Sequence, residues 1–371
     1  MGVHMNLQFF MPTKIIMGDD CVIKNAEILK KLGKKPLIVT GSRSAVLNGS
    51  LKDVTKTLTE NGQEYAVYDK VMSNPTIDCV YEGAELAKSE NADFIIAIGG
   101  GSPMDAAKAI ALLASQDIKR EKLFSGEYEE KVLPMVFIPT TAGTGSEVTQ
   151  YSILTNDAAK TKTTVAAPFL FPDVSFLDSK YMESLSKTTT INTAVDALSH
   201  SVEGYLSNRS NVLTDALALE GISIIAEEFE NLKNFTLTRE DRSKLLYAST
   251  LGGIVIAHTG TTAVHSMGYS LTYFKDIDHG RANGLLITEF LKLVEKEKPE
   301  RIKTLLTAMK LKDLAELEKI IMELLGEKEK LTEEEIMEFA SIAIKAKNIA
   351  NCIVIPTEED LIHIYKTVFD L

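Results

Sequence analysis

Short β-branched runs alternate with helical stretches through the first half of the chain, and this alternation narrows the fold most. Pro36–Thr40, Tyr65–Tyr68, Phe94–Ile98 and Met135–Pro139 each read as a buried strand. Between the first three lie Leu51–Asn61 and Thr76–Glu90, which place apolar residues at three- and four-residue steps and read as helices. Strands alternating with helices predict a mainly parallel sheet covered on both faces, with ligands bound beyond the strand C-termini. From about Ser184 the strand signals disappear. Ile191–Leu206, Thr214–Glu230, Arg239–Ala257, Gly284–Lys296 and Glu333–Ala350 read as helices. The pattern predicts an α/β domain over 1–183 and an all-α domain over 184–371, with a cleft between them. A chain of 371 residues suits that division at roughly 150 residues per domain.

Composition excludes some functions. The balance of 40 basic and 52 acidic residues, a net charge of -12, counts against a nucleic-acid partner. No apolar run approaches the ~20 residues that span a bilayer. The first residues lack a charged segment followed by an apolar one, so neither a signal peptide nor a membrane partner is expected. Cys21, Cys79 and Cys352 are far apart and lack CxxC spacing, so they read as reduced thiols of a cytoplasmic protein. Glu295–Glu300 and Glu316–Glu338 are dense in Glu and Lys and read as solvated helical faces.

Two loops carry the first chemical signal. Gly99-Gly100-Gly101-Ser102-Pro103-Met104-Asp105 follows the Phe94–Ile98 run and opens a helix. Ser102 is placed as an N-cap, Pro103 at the first helical position and Asp105 at capping-box spacing. Backbone N–H groups at such a helix start, with the positive dipole end, favour a phosphate. The same residues also describe a tight strand-to-helix turn, and they do not form GxGxxG, so this loop alone does not establish a dinucleotide. After Pro139 comes Thr140-Thr141-Ala142-Gly143-Thr144-Gly145-Ser146-Glu147-Val148-Thr149, small and hydroxyl-rich. Two such loops after two strands point to a nucleotide lying across the sheet edge.

Histidine is scarce, with six in the chain. Asp196 and His200 share one helical face, four residues apart. Alone, that pair reads as a side-chain hydrogen bond. His265 and His279, each in a Gly-flanked segment, turn the reading toward a metal. One carboxylate and three imidazoles would hold a divalent first-row ion and leave a position open for substrate. His258 follows an apolar run and reads as a satisfied core histidine, while His4 and His363 receive no role.

Taken in order, these motifs resemble the iron-containing (group III) alcohol dehydrogenases of the dehydroquinate synthase-like fold. The resemblance starts at Met17-Gly18 and Asn74-Pro75-Thr76 and runs through Gly99–Asp105 and Thr140–Thr149. It continues with Asp196–His200 and Glu203-Gly204-Tyr205 and ends at His265 and His279-Gly280, covering nearly the whole chain. It implies an α/β N-terminal nucleotide-binding domain with a Rossmann-like, mainly parallel sheet, joined to an all-α C-terminal metal-binding domain. It further implies that Asp196, His200, His265 and His279 are the metal ligands at a metal-centred catalytic site. Gly99, Gly100, Gly101 and Ser102 would contact the cofactor pyrophosphate, with Asn74 close to the same cofactor and Asp105 also expected among the cofactor-binding residues. Thr140, Thr141, Thr144 and Thr149 would line the nicotinamide end, and Lys162 would reach the ribose there. Many relatives carry a proton-relay histidine four residues after the third ligand, where this chain has Tyr269, so proton exit through water is expected instead. Ala194 stands where relatives often have Gly, a change expected to be silent.

No haem, flavin or iron–sulfur pattern is present, so a hydride must come from a diffusible carrier. NAD enzymes commonly place a carboxylate after a strand to bind the adenosine ribose. Here Gly41-Ser42-Arg43-Ser44 follows Pro36–Thr40, where NAD-preferring relatives often carry Asp in place of Gly41. The expectation is NADP(H) rather than NAD(H), with Gly41 leaving room for a 2′-phosphate and Ser42, Arg43 or Ser44 placed to hold it. Ligand type admits Fe²⁺ or Zn²⁺, and the resemblance favours Fe²⁺. Within the oxidoreductases the rivals are a zinc glycerol dehydrogenase and a 1,2-diol (lactaldehyde) reductase using NAD(H). A dehydroquinate synthase-type lyase needs Lys and Arg near the metal, and Asp196–Tyr205 and Gly260–Tyr273 hold none. A nucleotide-binding regulator with a structural metal would turn over no aldehyde. The expected substrate is a short, uncharged primary alcohol or aldehyde of about butanol size, and the expected assembly is a homo-oligomer, a dimer by family habit.

Overall fold

In the computed structural model, residues 7–371 are described; His4 lies outside them. Strands β1 (Lys14–Met17), β2 (Pro36–Thr40), β3 (Ala66–Tyr68), β4 (Phe94–Gly99), β5 (Met135–Pro139) and β8 (Val174–Leu177) form one sheet. Its order is β1-β8-β5-β4-β2-β3, and every pairing is parallel. Strands β6 (Tyr151–Asn156) and β7 (Thr161–Ala166) make a separate antiparallel hairpin.

The unbroken apolar runs arise because the central strands are buried on both faces. Leu37, Val39, Ile95, Ala97 and Phe137 pack on one side with Ile77–Ser89 and Gly101–Ser115, both helices. Ile38, Ile96, Ile98 and Val136 face the other side, against the helix Ser50–Glu60. From β2 the chain steps outward to β3, then returns across β2 to β4. The ends of β2 and β4 therefore flank the point where strand order reverses, the usual place for a ligand crevice.

Beyond Leu177 the described residues contain helices, turns and one isolated bridge, Ser207 to Cys352. The helix Lys187–Tyr205 is buried along nearly its whole length between neighbouring helices. Where the halves meet, Gly145 takes a φ of +61°, and a Cβ there would come within 2.4 Å of Gly253 Cα. Only glycine allows that crossing. All three cysteines are buried and free. No helix among the described residues is long and apolar enough to cross a membrane.

Three expectations from sequence are corrected. The hairpin β6–β7 and strands β1 and β8 gave no recognisable signal, and the helix Ala263–Lys275 was also missed. Glu333–Ala350 is not one helix: it stops at Ala343 and resumes as a 3₁₀ turn over Lys347–Asn351. Ser102 is not the N-cap. The helix starts at Gly101, Gly100 caps it without any side-chain bond, and the capping box does not form. Ser102 Oγ instead accepts the Asn74 N–H at 3.2 Å, and Asp105 Oδ1 accepts the Ser146 hydroxyl at 2.6 Å.

Candidate active site

A cleft of about 810 Å³ runs from the ends of β2 and β4 into the helical half. At the sheet end, Gly41, Ser44, Asn74, Gly100, Gly101 and Ser102 line it. With no side chain capping Gly101–Ser115, its first N–H groups stay available to an anion. Asn74 adopts a left-handed φ of +57°, and its carbonyl accepts the Thr155 hydroxyl at 3.0 Å, which fastens the hairpin over the glycine loop. The two small-residue loops interlock, since a Cβ on Gly101 would come within 2.7 Å of Thr144 Cγ2. Thr141, Thr144, Thr149, Asp105 and Lys162 also line the cleft, whereas Ser42, Gly99 and Thr140 do not. Thr140 is buried at 1% exposure behind the loop, and Ser42 faces outward.

Lys108, one turn after Asp105, is fully buried. Its ammonium donates to Ser146 O at 2.8 Å, Ser146 Oγ at 2.7 Å, Thr149 Oγ1 at 3.1 Å and Tyr151 O at 2.7 Å. Burial pulls it down to about 8, against the pull of Asp105 and Glu147. The phosphate-loop helix thereby grips the hydroxyl-rich loop from within. Burial pushes the Asp105 carboxyl up and the Lys162 ammonium down.

The helix Lys187–Tyr205 presents Asp196, His200 and Glu203 on one face. Asp196, His265 and His279 each offer one ligand atom within 4.8 Å of the others. His200 joins through His265, with Nε2 to Nε2 at 3.0 Å. His279 opens its own helix, His279–Glu295. The next residue must be small: a Cβ on Gly280 would lie 1.9 Å from Asn192 O.

Each of two imidazoles is fixed through its other nitrogen. His200 Nδ1 donates to Gly143 O at 3.2 Å, and His265 Nδ1 donates to Glu203 Oε2. Glu203 Oε1 also accepts the Thr262 N–H at 2.8 Å and hydroxyl at 2.6 Å, capping the helix that carries His265. Burial opposes the charge on Glu203, yet His265 and the Thr262 donors hold its carboxyl below the usual range. Burial pushes the His200 and His279 imidazoles down, toward the neutral form that ligates metals.

This donor set fits a cation. With both Nδ1 atoms donating, the facing Nε2 atoms of His200 and His265 need positive charge between them. A proton on His265 would supply it; with Asp196 and His279 alongside, a divalent ion satisfies all four residues. The Asn283 Oδ1 and His279 Nδ1 atoms are buried without a partner. Asn283 Nδ2 approaches Asp196 Oδ1 at 3.0 Å, His265 Nε2 at 3.2 Å and His279 Nε2 at 3.3 Å. Three nitrogens and one carboxylate oxygen suit a first-row ion.

His258 is satisfied, as its position suggested: Nδ1 donates to Ile254 O at 2.7 Å, and Nε2 accepts from Phe10 N at 3.1 Å. Glu203, Asn283 and Lys108 were missed as site residues, although each lies three or four residues from a recognised one. The cleft is also more basic than the stretches around the ligands suggested. Arg209 and Lys347, remote in sequence, enter its lining with Asn348 and Asn351.

At one end of this cleft a glycine loop opens a helix beside the point where strand order reverses, and at the other Asp196, His200, His265 and His279 converge, an arrangement that suits a nucleotide beside a metal ion. The iron-containing alcohol dehydrogenase description matches residues 12–179, and the C-terminal description of the same family matches residues 190–369. The chain belongs to that family. It is 35% identical over 286 residues to alcohol dehydrogenase 4 of Saccharomyces cerevisiae, covering 75% of this chain and 73% of that protein. The NAD-dependent methanol dehydrogenase of Bacillus methanolicus is 32% identical over 279 residues, covering 75% and 73%. The crystal structure of an iron-containing alcohol dehydrogenase from Thermotoga maritima superposes with a TM-score of 0.91 at 40% identity, covering 98% of this chain and 99% of that one.

Proposed function

We propose that this chain transfers a hydride between NADP(H) and a short-chain primary alcohol or aldehyde, with Fe²⁺ rather than Zn²⁺ held by Asp196, His200, His265 and His279. The reading divides the labour between a nucleotide-binding half over 1–183 and a metal-binding half over 184–371. One observation carries it: Gly143, in the loop lining the cofactor end, accepts the Nδ1–H of His200. Phosphate cradle and ligand cluster thus share one wall of one cleft.

When bound, the iron supplies Lewis acidity toward the substrate oxygen and the nicotinamide supplies or accepts the hydride. The chain's own residues set the geometry. Gly100, Gly101 and Ser102 receive the pyrophosphate on the helix N-terminus, with Gly99 shaping the turn beneath. Thr141, Thr144 and Thr149 border the nicotinamide, Thr140 supports them from behind, and Lys162 faces the ribose. Asp105 holds Ser146 in place. Glu203 and Gly143 keep the Nε2 atoms of His265 and His200 turned inward. Holding both reactants in one orientation is itself a large part of the rate. Tyr269 stacks on His279 at 5.4 Å, and burial holds its phenol well above its usual range. The proton exchanges with solvent entering the cleft.

Cofactor choice rests on Gly41. It lines the cleft at the end of β2 with Ser44, and Ser42 and Arg43 lie between them. No carboxylate stands there to bind an adenosine 2′-hydroxyl. The methanol dehydrogenase relative, named NAD-dependent, marks the competing choice. A homodimer is supported by β1, an edge strand exposing Ile15 and Met17.

The test is anaerobic purification with Fe²⁺, then butanal reduction with NADPH and with NADH. Turnover with a higher kcat/KM for NADPH supports the reading. A clear NADH preference removes the cofactor assignment, and no turnover with either removes the function.

A further inference from the structure

The chain contains seven arginines. Four are paired: Arg120 with Asp78, Arg239 with Glu183, Arg281 with Glu329, and Arg301 with Asp215. Arg242 is buried over the Phe235 ring. Like Arg242, Arg43 and Arg209 have no carboxylate within 4.0 Å among the described residues, but they are not held over an aromatic ring as Arg242 is. In a chain with 52 acidic and 40 basic residues, such arginines stand out. Arg43 sits beside Gly41, at the cofactor end. Arg209 lines the cleft from the helical half.

Its surroundings lead back to the ligand cluster. A Cβ on Gly260 would meet Asn351 Nδ2 at 2.6 Å and Arg209 Nη1 at 3.8 Å, so carboxamide and guanidinium share that corner. Asn351 Nδ2 donates to Thr261 O at 2.9 Å, and Asn348 Nδ2 to Thr261 Oγ1 at 2.6 Å. Asn348 in turn reaches the Tyr269 hydroxyl, whose ring lies on His279. A polar wall thus runs from His279 to Arg209. Lys347 lines the same cleft and likewise has no carboxylate within 4.0 Å among the described residues.

We propose that Arg209, with Asn351 and Lys347 beside it, binds an oxyanion at the end of the substrate remote from its carbonyl. The preferred substrates are then short aldehydes bearing a carboxylate or sulfonate, and their alcohols, rather than uncharged ones. Arginine suits this task, because its planar fork matches an oxyanion with two parallel hydrogen bonds. The inference rests on the aldehyde-reductase reading above.

Butanal and succinic semialdehyde have the same chain length and differ in the terminal carboxylate. The iron-loaded wild type should show a kcat/KM at least about tenfold higher for succinic semialdehyde, the scale of one charge-assisted bond. Arg209→Gln should collapse that ratio about tenfold, mainly through KM for the anionic substrate. Lys52→Gln removes one exposed charge that does not line the cleft and should leave the ratio as it was, which separates contact from long-range steering. Butanal turnover without preference for the semialdehyde, or a ratio unmoved in Arg209→Gln, overturns the proposal while the reductase reading stands. No turnover of either aldehyde overturns both.

Discussion

Glu203 holds His265 at two points: Oε1 accepts its backbone N–H at 3.3 Å, and Oε2 accepts Nδ1–H from its ring. Ring position and tautomer are therefore set before any ion arrives. Removing the charge while keeping the shape should weaken the metal rather than the fold. Glu203→Gln is expected to lower iron affinity about 10–100-fold, the usual cost of losing a carboxylate behind a ligand histidine. Metal analysis after equilibration against graded Fe²⁺ reads this directly. Wild-type occupancy at limiting iron would contradict it.

Chelation tests the whole cluster. Stripping the protein with a strong chelator should abolish turnover and lower Tm, because an ion bound to the folded state alone stabilises it by mass action. Added Fe²⁺ should restore both. Retained full activity in Asp196→Ala or His265→Ala would exclude these residues as ligands.

Gly41→Asp places a carboxylate at the end of β2, where a Cβ finds Val71 O at 3.3 Å and needs only a small adjustment. The expected outcome is at least about a tenfold fall in kcat/KM for NADPH with NADH spared or improved, since a carboxylate repels a 2′-phosphate and accepts from a 2′-hydroxyl. Equal losses with both cofactors would mean that position 41 does not read the ribose.

Lys108→Met deletes four hydrogen bonds between the phosphate-loop helix and the hydroxyl-rich loop. KM for the cofactor should rise severalfold while iron content is kept. The variant also has a pH signature. Lys108 titrates near 8 in the folded chain and near 10.5 in the unfolded one, so between those values the unfolded state binds more protons. Its contribution to stability therefore increases with pH across that window. Wild-type Tm should gain on Lys108→Met from pH 8 to pH 10. A constant difference would refute the lowered value.

Much of the α/β half was readable because β2, β4 and β5 are buried on both faces and leave unbroken apolar runs. The hairpin β6–β7 was not, because its strands are Thr-rich, half-buried and paired mainly with each other. Ala263–Lys275 was hidden for the opposite reason: it is buried nearly all round, so no polar face marks a period. The four proposed ligand residues stood out through scarcity of histidine and through family resemblance. Arg209, Lys347 and Asn348 carry no local signature, since only tertiary folding brings residues about 140 positions apart onto one wall. The Ser102 cap was misread because Asn74, a distant residue, claims its hydroxyl.

With iron and nicotinamide bound as proposed, the bond from His200 to the Gly143 carbonyl would make them thermodynamic partners. A cofactor that steadies the Thr140–Thr149 loop also steadies an imidazole of the iron site, and an ion that orients His200 orders the loop in return. Whatever factor iron adds to cofactor affinity, cofactor must add to iron affinity. On that reading, saturating nicotinamide nucleotide slows the loss of iron to a chelator.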